Sequence, residues 1–347
     1  MIEVLVVDDS AFMRKLISDF INSTPGMRVK DTARNGKIAY EKLQKTSFDV
    51  VTLDMEMPEM NGLETLKKIM KNCPLPVIIV SSDTQEGAAL TVRAMEEGAV
   101  DVVAKPSGAI SLDLHTVKDE LLYKIQAAAN ATTNREEKEN SISKKERMHG
   151  ERKKTLMNQK KLLAIGTSTG GPKALQAVLP RLKKDFSAPI LIVQHMPPGF
   201  TRSLAERLNQ LSDIAVKEAE HGELVQPGTA YICPGGKQMK AKMIGRSLSV
   251  EVLDDPPYNG HAPSVDVLLR SLLSLSDYSI AGLIMTGMGS DGAEGMALLK
   301  EKKDSLVLVE SKKTAIVYGM PKSVKERLEV DATLDLDEIA PYLNMHF

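Results

Sequence analysis

Cysteine is nearly missing from this chain. Cys73 and Cys233 are the only two in 347 residues, and they lie far apart without metal-ligand spacing. Thiols used so sparingly point to a reducing compartment. Net charge is almost absent as well, at -1 from 45 basic and 46 acidic residues. That balance argues against a dominant nucleic-acid role, so no nucleic-acid partner is expected. No apolar run approaches the length of a membrane-spanning helix, so no membrane insertion is expected either. Met1 runs straight into strand-like sequence with no basic leader or cleavage site. Nothing there points to export, and a cytoplasmic location is expected.

What is present is the composition of a globular protein, 42% hydrophobic and 26% charged, with enough apolar residues for a sizeable core. The length exceeds one ordinary core and predicts two domains. Between residues 135 and 161 apolar residues almost vanish, while lysine, arginine and glutamate interleave. Such a stretch cannot bury enough surface to order itself as a core, and its mixed signs disfavour a nucleic-acid arm. We therefore expect domains at 1–125 and 161–347 with a charged linker at 126–160. On each side, apolar runs (4–7, 50–53, 77–80 and 100–104, then 162–165, 190–193, 280–285 and 306–309) alternate with helical spacing. Met13, Leu16, Ile17, Phe20 and Ile21 mark one helix face, and Leu175, Val178, Leu179 and Leu182 another. The pattern predicts an α/β fold with two doubly wound parallel sheets. Residues 214–252, rich in glycine and proline, read as short strands and hairpins inserted in the second domain. Parallel sheets bind ligands at the carboxyl ends of their strands, which is where chemistry is to be sought.

In the first half those ends carry Asp8 and Asp9, Asp54, Ser81 and Ser82, and Lys105. An aspartate after a strand is often just the next helix's N-cap. Converging strand ends would instead gather these side chains in one crevice. Crowded carboxylates favour a hard cation such as magnesium, a carboxylate can accept a phosphoryl group, and a lysine would neutralise phosphoryl oxygens. The segments Val6-Val7-Asp8-Asp9-Ser10, Leu53-Asp54-Met55-Glu56-Met57-Pro58 and Ala104-Lys105-Pro106 resemble a response-regulator receiver domain over about the first 125 residues. The resemblance implies Asp54 as phosphoacceptor, Asp8 and Asp9 with Asp54 as the magnesium site, and the Glu56 carbonyl as a further ligand. It also implies Ser81 as the switch hydroxyl, Lys105 as the phosphate partner and a histidine kinase as phosphodonor.

In the second half the apolar run 162–165 stops at Gly166, and Thr167-Ser168-Thr169-Gly170-Gly171 precedes a segment opening with Pro172. Strand, tight turn and helix would lift Ser168 onto the turn as a nucleophile, with helix amides facing an oxyanion. A phosphate cradle or a plain helix cap fits the same motif. No P-loop lysine follows in register and no dinucleotide glycine fingerprint is present. A serine nucleophile needs a base, and the base an orienting acid. His195 directly follows the run 190–193 and Gln194, at a strand end like the serine's. Asp291, in Thr286-Gly287-Met288-Gly289-Ser290-Asp291-Gly292, stands after the run 280–285 where a helix begins, and the Met288 amide could face an oxyanion.

The serine motif, Gln194-His195-Met196-Pro197-Pro198-Gly199-Phe200-Thr201, the Asp291 motif, Pro263-Ser264-Val265-Asp266-Val267-Leu268 and Tyr318-Gly319-Met320-Pro321 resemble the catalytic domain of the chemotaxis protein-glutamate methylesterases across residues 160–330. The resemblance implies Ser168, His195 and Asp291 as a triad, with Thr169 and the Met288 amide around the oxyanion. It implies hydrolysis of glutamate methyl esters on chemoreceptors, deamidation of receptor glutamines, and no cofactor for the esterase. Phosphorylation of the receiver is expected to control that activity. Two departures stand out. His261 lies between Gly260 and Ala262 where the family usually has arginines, and a family-typical acidic residue near Ser311-Lys312-Lys313 is replaced by lysine.

Overall fold

Alternating apolar and amphipathic segments build two units, Met1–Ser141 and Ile142–Phe347. The computed structural model describes residues 1–82, 84–106, 114–139, 160–303 and 305–347. Residues 140–159, most of the charged stretch expected as a linker, lie outside these.

The first unit runs β1 (Ile2–Val7), α1 (Ala11–Asn22), β2 (Met27–Ala33), α2 (Gly36–Leu43), β3 (Val50–Asp54), α3 (Gly62–Asn72), β4 (Val77–Ser81), α4 (Gln85–Glu96), β5 (Asp101–Ala104) and α5 (Leu114–Glu139). Its five strands are all parallel, in the order β2-β1-β3-β4-β5. Every residue of β3 and β4 is buried, as continuous apolar strands covered by helices on both faces must be. Each Val, Ile or Leu so buried contributes about 1.5–3 kcal/mol of transfer free energy, so the central runs dominate the choice of fold. Ser10 caps α1, accepting from the Met13 amide, and Met13, Ile17 and Ile21 form its buried stripe. α5 continues through Glu139, past residue 125.

The second unit follows with β6 (Lys160–Thr167), α6 (Gly171–Val178), β7 (Ile190–Gln194), α7 (Phe200–Leu211), β8 (Ala215–Glu218) and β9 (Thr229–Ile232). Then come β10 (Gln238–Ile244), β11 (Ser247–Leu253), α8 (Val265–Leu272), β12 (Tyr278–Ile284), α9 (Ala293–Lys302), β13 (Leu306–Glu310), α10 (Met320–Arg327), β14 (Ala332–Leu334) and α11 (Leu336–His346). Seven parallel strands lie in the order β14-β13-β12-β6-β7-β9-β8. The two α/β units with parallel sheets are those expected. Two details differ from the periodicity. α6 ends at Val178 and tightens into a 3₁₀ turn, Leu179–Arg181, because Pro180 cannot continue an α-helix. Within 214–252 only β10 and β11 form an antiparallel hairpin, whereas β8 and β9 extend the main sheet in parallel.

Both sheets reverse direction beside their first strand. In the first unit, β1 lies between β2 and β3; in the second, β6 lies between β7 and β12. A crevice opens at the carboxyl ends of such a switch point, and the residues that follow these strands are the ones singled out above.

Candidate active site

Ser168 stands on the turn from β6 to α6. Its amide donates to the Thr286 carbonyl at 3.0 Å, tying the turn to the end of β12, and its carbonyl accepts the Gly171 amide at 2.7 Å. Gly170 begins α6 with φ of 80° and no side-chain cap, a left-handed turn that glycine makes without strain. The serine hydroxyl is therefore not spent on capping. Gly287 comes so close that a Cβ there would sit 2.8 Å from the Ser168 Cβ. Only glycine allows that approach.

His195 follows β7, whose Gln194 pairs in register with Thr167 of β6. Its Nε2 lies 2.8 Å from Asp291 Oδ2. Asp291 precedes α9, yet that helix is capped by Gly292 with no side-chain bond. The carboxylate turns instead to the start of α8, accepting the Val265 amide at 2.7 Å, the Asp266 amide at 3.0 Å and the Ser264 hydroxyl at 2.9 Å. A helix N-terminus favours an anion through its free amides. Burial alone would raise the Asp291 pKa, but the His195 bond and these amides outweigh it and hold the group at about 2. Asp291 is thus an ionised carboxylate facing an imidazole. With Nε2 committed to Asp291, Nδ1 is the ring nitrogen left to exchange a proton, and it is buried without a hydrogen bond. Ser168 Oγ does not fill it. Hydrolases without substrate often leave this bond long and close it on binding.

Against the other face of the imidazole lies His261, its ring centroid 4.3 Å away and its plane 6° from parallel. Burial, reinforced by His195, pushes the His261 pKa down to about 4. At neutral pH it is an uncharged plate stacked on the His195 ring. His221 is elsewhere, its Nδ1 2.8 Å from the Val252 carbonyl.

The loop after β12 completes this rim. The Thr286 amide donates to Glu310 Oε2 at 2.8 Å, and Thr286 Oγ1 donates to the Thr169 carbonyl at 2.9 Å. Glu310 is wholly buried and also accepts from Thr314 Oγ1 at 2.9 Å. This bracing holds Met288, whose amide makes no hydrogen bond among the described residues.

In the first unit, Asp8, Asp9 and Asp54 each offer a carboxylate oxygen within 4.8 Å of the others. Lys105 Nζ sits 2.7 Å from Asp54 Oδ2 and 3.1 Å from Asp8 Oδ2. One lysine against three carboxylates leaves excess negative charge, and an all-oxygen donor set suits a hard divalent ion. Burial drives the Asp54 pKa up to about 6 against the pull of Lys105, with Asp8 adding to the rise. The same two carboxylates raise the Lys105 pKa against its burial. None of the acids caps a helix. The Glu56 amide donates to Asp54 Oδ1 at 3.2 Å. Ser81, buried at the end of β4, turns its hydroxyl to the Ser82 and Gly87 carbonyls at 3.4 Å, and its carbonyl accepts the Lys105 amide at 2.8 Å.

The chain matches the family model of CheB methylesterase over residues 163–343 and that of the response regulator receiver domain over residues 4–115. The chain belongs to the CheB methylesterase family. It is 50% identical over 343 residues to the protein-glutamate methylesterase/protein-glutamine glutaminase of Geobacillus kaustophilus, covering 98% of this chain and 97% of that protein. The protein of the same description from Bacillus subtilis is 44% identical over 345 residues, with 98% and 97% covered. The crystal structure of the Thermotoga maritima CheB methylesterase catalytic domain covers 54% of this chain and 98% of its own, at 41% identity and a TM-score of 0.52.

Beyond the residues singled out from the sequence, this CheB-family site contains several that were missed. Ser264 and the first amides of α8 grip Asp291 from about 26 positions away in the chain. The motif Pro263-Ser264-Val265-Asp266 is their only local trace. Glu310 ends an apolar strand, a signal weak by itself. His261 sits in a turn in which Tyr258 and His261 exchange backbone hydrogen bonds of 3.0 Å. Among the described residues, no hydrogen bond joins Gly260, Ala262 or Lys312 to Ser168, His195 or Asp291. A Cβ on Gly260 would meet nothing within 4 Å, the Ala262 carbonyl accepts the Gly236 amide at 3.0 Å, and Lys312 is exposed.

Proposed function

We propose that the protein is a phosphorylation-regulated protein-glutamate methylesterase, hydrolysing glutamate methyl esters on chemoreceptors and deamidating receptor glutamines. The observation that carries the reading is the His195–Asp291 pair beside Ser168 at the sheet's switch point. Ser168 Oγ attacks the ester carbonyl while its proton passes to His195 Nδ1, and Asp291 steadies the imidazolium. The Met288 amide, with Thr169, faces the oxyanion; losing one such donor costs about 10²–10³ in rate. As the tetrahedral adduct collapses, the C–O bond to methoxide breaks and His195 gives it the proton, releasing methanol. Water then attacks the acyl-serine, deprotonated by the same base, and leaves the receptor carboxylate. A glutamine side chain follows the same path with ammonia as the leaving group. No cofactor enters these steps.

In the receiver, a histidine kinase donates the phosphoryl group to Asp54. Asp8, Asp9 and Asp54, with the Glu56 carbonyl, would hold magnesium, which supplies charge neutralisation for phosphoryl transfer when bound. Lys105 pairs with the phosphoryl oxygens and the Ser81 hydroxyl turns to the modified Asp54. No helix among the described residues is long and apolar enough to cross a membrane, and both cysteines are free; we place the enzyme in the cytoplasm. Covalent labelling tests the nucleophile. An organophosphonate should give one adduct, on Ser168, in wild-type protein. Labelling elsewhere, or a turn that takes up phosphate instead, would refute the hydrolase reading.

A further inference from the structure

We propose that Gln194 is a positioning residue that clamps the nucleophile turn to the histidine turn; the inference rests on the hydrolase reading above. Gln194 is the last residue of β7 and is wholly buried. Its Nε2 donates to the Ser168 carbonyl at 3.0 Å and to the His195 carbonyl at 3.1 Å, and its Oε1 accepts from Thr167 Oγ1 at 2.6 Å. These neighbours dictate the amide's orientation. Two carbonyls on one side accept only, so they require the NH₂ group there; the oxygen then faces the Thr167 hydroxyl, which donates to it.

The position matters because the sheet ladder ends here. Thr167 and Gln194 are the last registered pair of β6 and β7, so the next residues on each strand, Ser168 and His195, have no ladder between them. What joins their main chains is the His195 amide on the Thr167 carbonyl, 3.1 Å, and the Gln194 carboxamide. The Gln194 side chain is bonded to both. The fold makes room for it: a Cβ on Gly171 would fall 1.9 Å from Gln194 Oε1. Asp291 fixes the tip of the imidazole through Nε2, whereas Gln194 fixes its base and the serine's base together. The distance from Ser168 Oγ to Nδ1 depends on both.

The test compares wild type with Gln194→Glu, Gln194→Met and Thr167→Val in the full-length protein. Gln194→Glu keeps the shape but sets an oxygen against two carbonyls. Gln194→Met keeps the volume without hydrogen bonds, and Thr167→Val removes the hydroxyl that donates to the amide oxygen, together with its long 3.5 Å contact to the Val193 carbonyl. The readouts are kcat and KM for methanol release from methylated receptor membranes, the rate of organophosphonate labelling of Ser168, and the melting temperature. A misplacement on the order of 1 Å costs ~10² in rate. The Gln194 variants should therefore lose about 10–10² in kcat and in labelling rate together, with KM changed by less than about twofold. Thr167→Val should lose less in the same direction and, as the mildest change, decides the matter if the Gln194 variants do not fold. A folded variant of either residue with wild-type kcat and labelling rate overturns the clamp while leaving the hydrolase reading intact. Wild-type protein that neither releases methanol nor takes the label overturns both.

Discussion

Two buried carboxylates at the start of α8 are driven in opposite directions by their surroundings. Asp291 accepts the helix amides and pairs with His195, which brings it to about 2. For Asp266, burial dominates and the charge of Asp291 adds to it, so its pKa rises to about 6 although it accepts the Gly295 amide at 2.6 Å. Pairs with separated pKa values mark acid–base sites, and here the ionised member is the one facing the imidazole. The signs in stability are opposite. Asp291, depressed on folding, contributes stability that is present above its unfolded value of 3.8 and lost as pH falls towards 2. Asp266, raised on folding, contributes stability that is present below 3.8 and lost as pH rises through about 6. Asp266→Asn removes the second dependence. Relative to wild type the variant should gain roughly 2–3 kcal/mol between pH 4 and pH 7.5, at about 1.4 kcal/mol per pKa unit. Denaturant unfolding of both proteins at the two pH values measures it, and equal differences would contradict the assignment. Asp291 itself was visible in the sequence as a strand-end acid. Which helix it would serve was not, because Ser264 and Val265 reach it only through the tertiary fold.

Elements were legible in proportion to their burial. β3, β4, β7, β12 and β13 coincide with apolar runs because helices cover both their faces. β2, at the sheet edge, reads Met27-Arg28-Val29-Lys30-Asp31-Thr32-Ala33 with only its ends buried, so no run announces it. β14 has three residues and lies at the other sheet's edge. The turn between β6 and α6 was legible from its glycines, but not the reason for each. Gly170 supplies the left-handed bend, while Gly171 yields space to the Gln194 amide. Gly171→Ala should therefore disable the site without unfolding the sheet. Methanol release should fall by at least about 10-fold, as a small displacement of the reacting atoms suffices for such a loss. Circular dichroism should stay unchanged. Full activity in that variant would mean the turn tolerates displacement and the close packing is incidental.

At the scale of the whole molecule, the chain carries two parallel sheets, each with its reactive side chains beside the switch point. That placement was legible because both motifs directly follow apolar strands. Control of one unit by the other is tested by activity. Phosphorylation with a small phosphodonor should raise methanol release by wild type and leave Asp54→Ala at its basal rate. Equal stimulation of both would remove Asp54 as the phosphoacceptor. We expect the unphosphorylated receiver to restrain the esterase unit, so a fragment lacking residues 1–130 should hydrolyse faster than the intact unphosphorylated protein; a rate no faster would contradict that restraint.

In the proposed reaction the ester is cleaved by Ser168 with His195 as its base. Methanol release from methylated receptor membranes by Ser168→Ala, measured beside wild type at equal folded concentration, tests it most directly. Ser168→Ala should lose at least about 10³ in kcat, since removing a serine nucleophile disables the proposed triad as a unit. Methanol release by Ser168→Ala within about tenfold of wild type would contradict it.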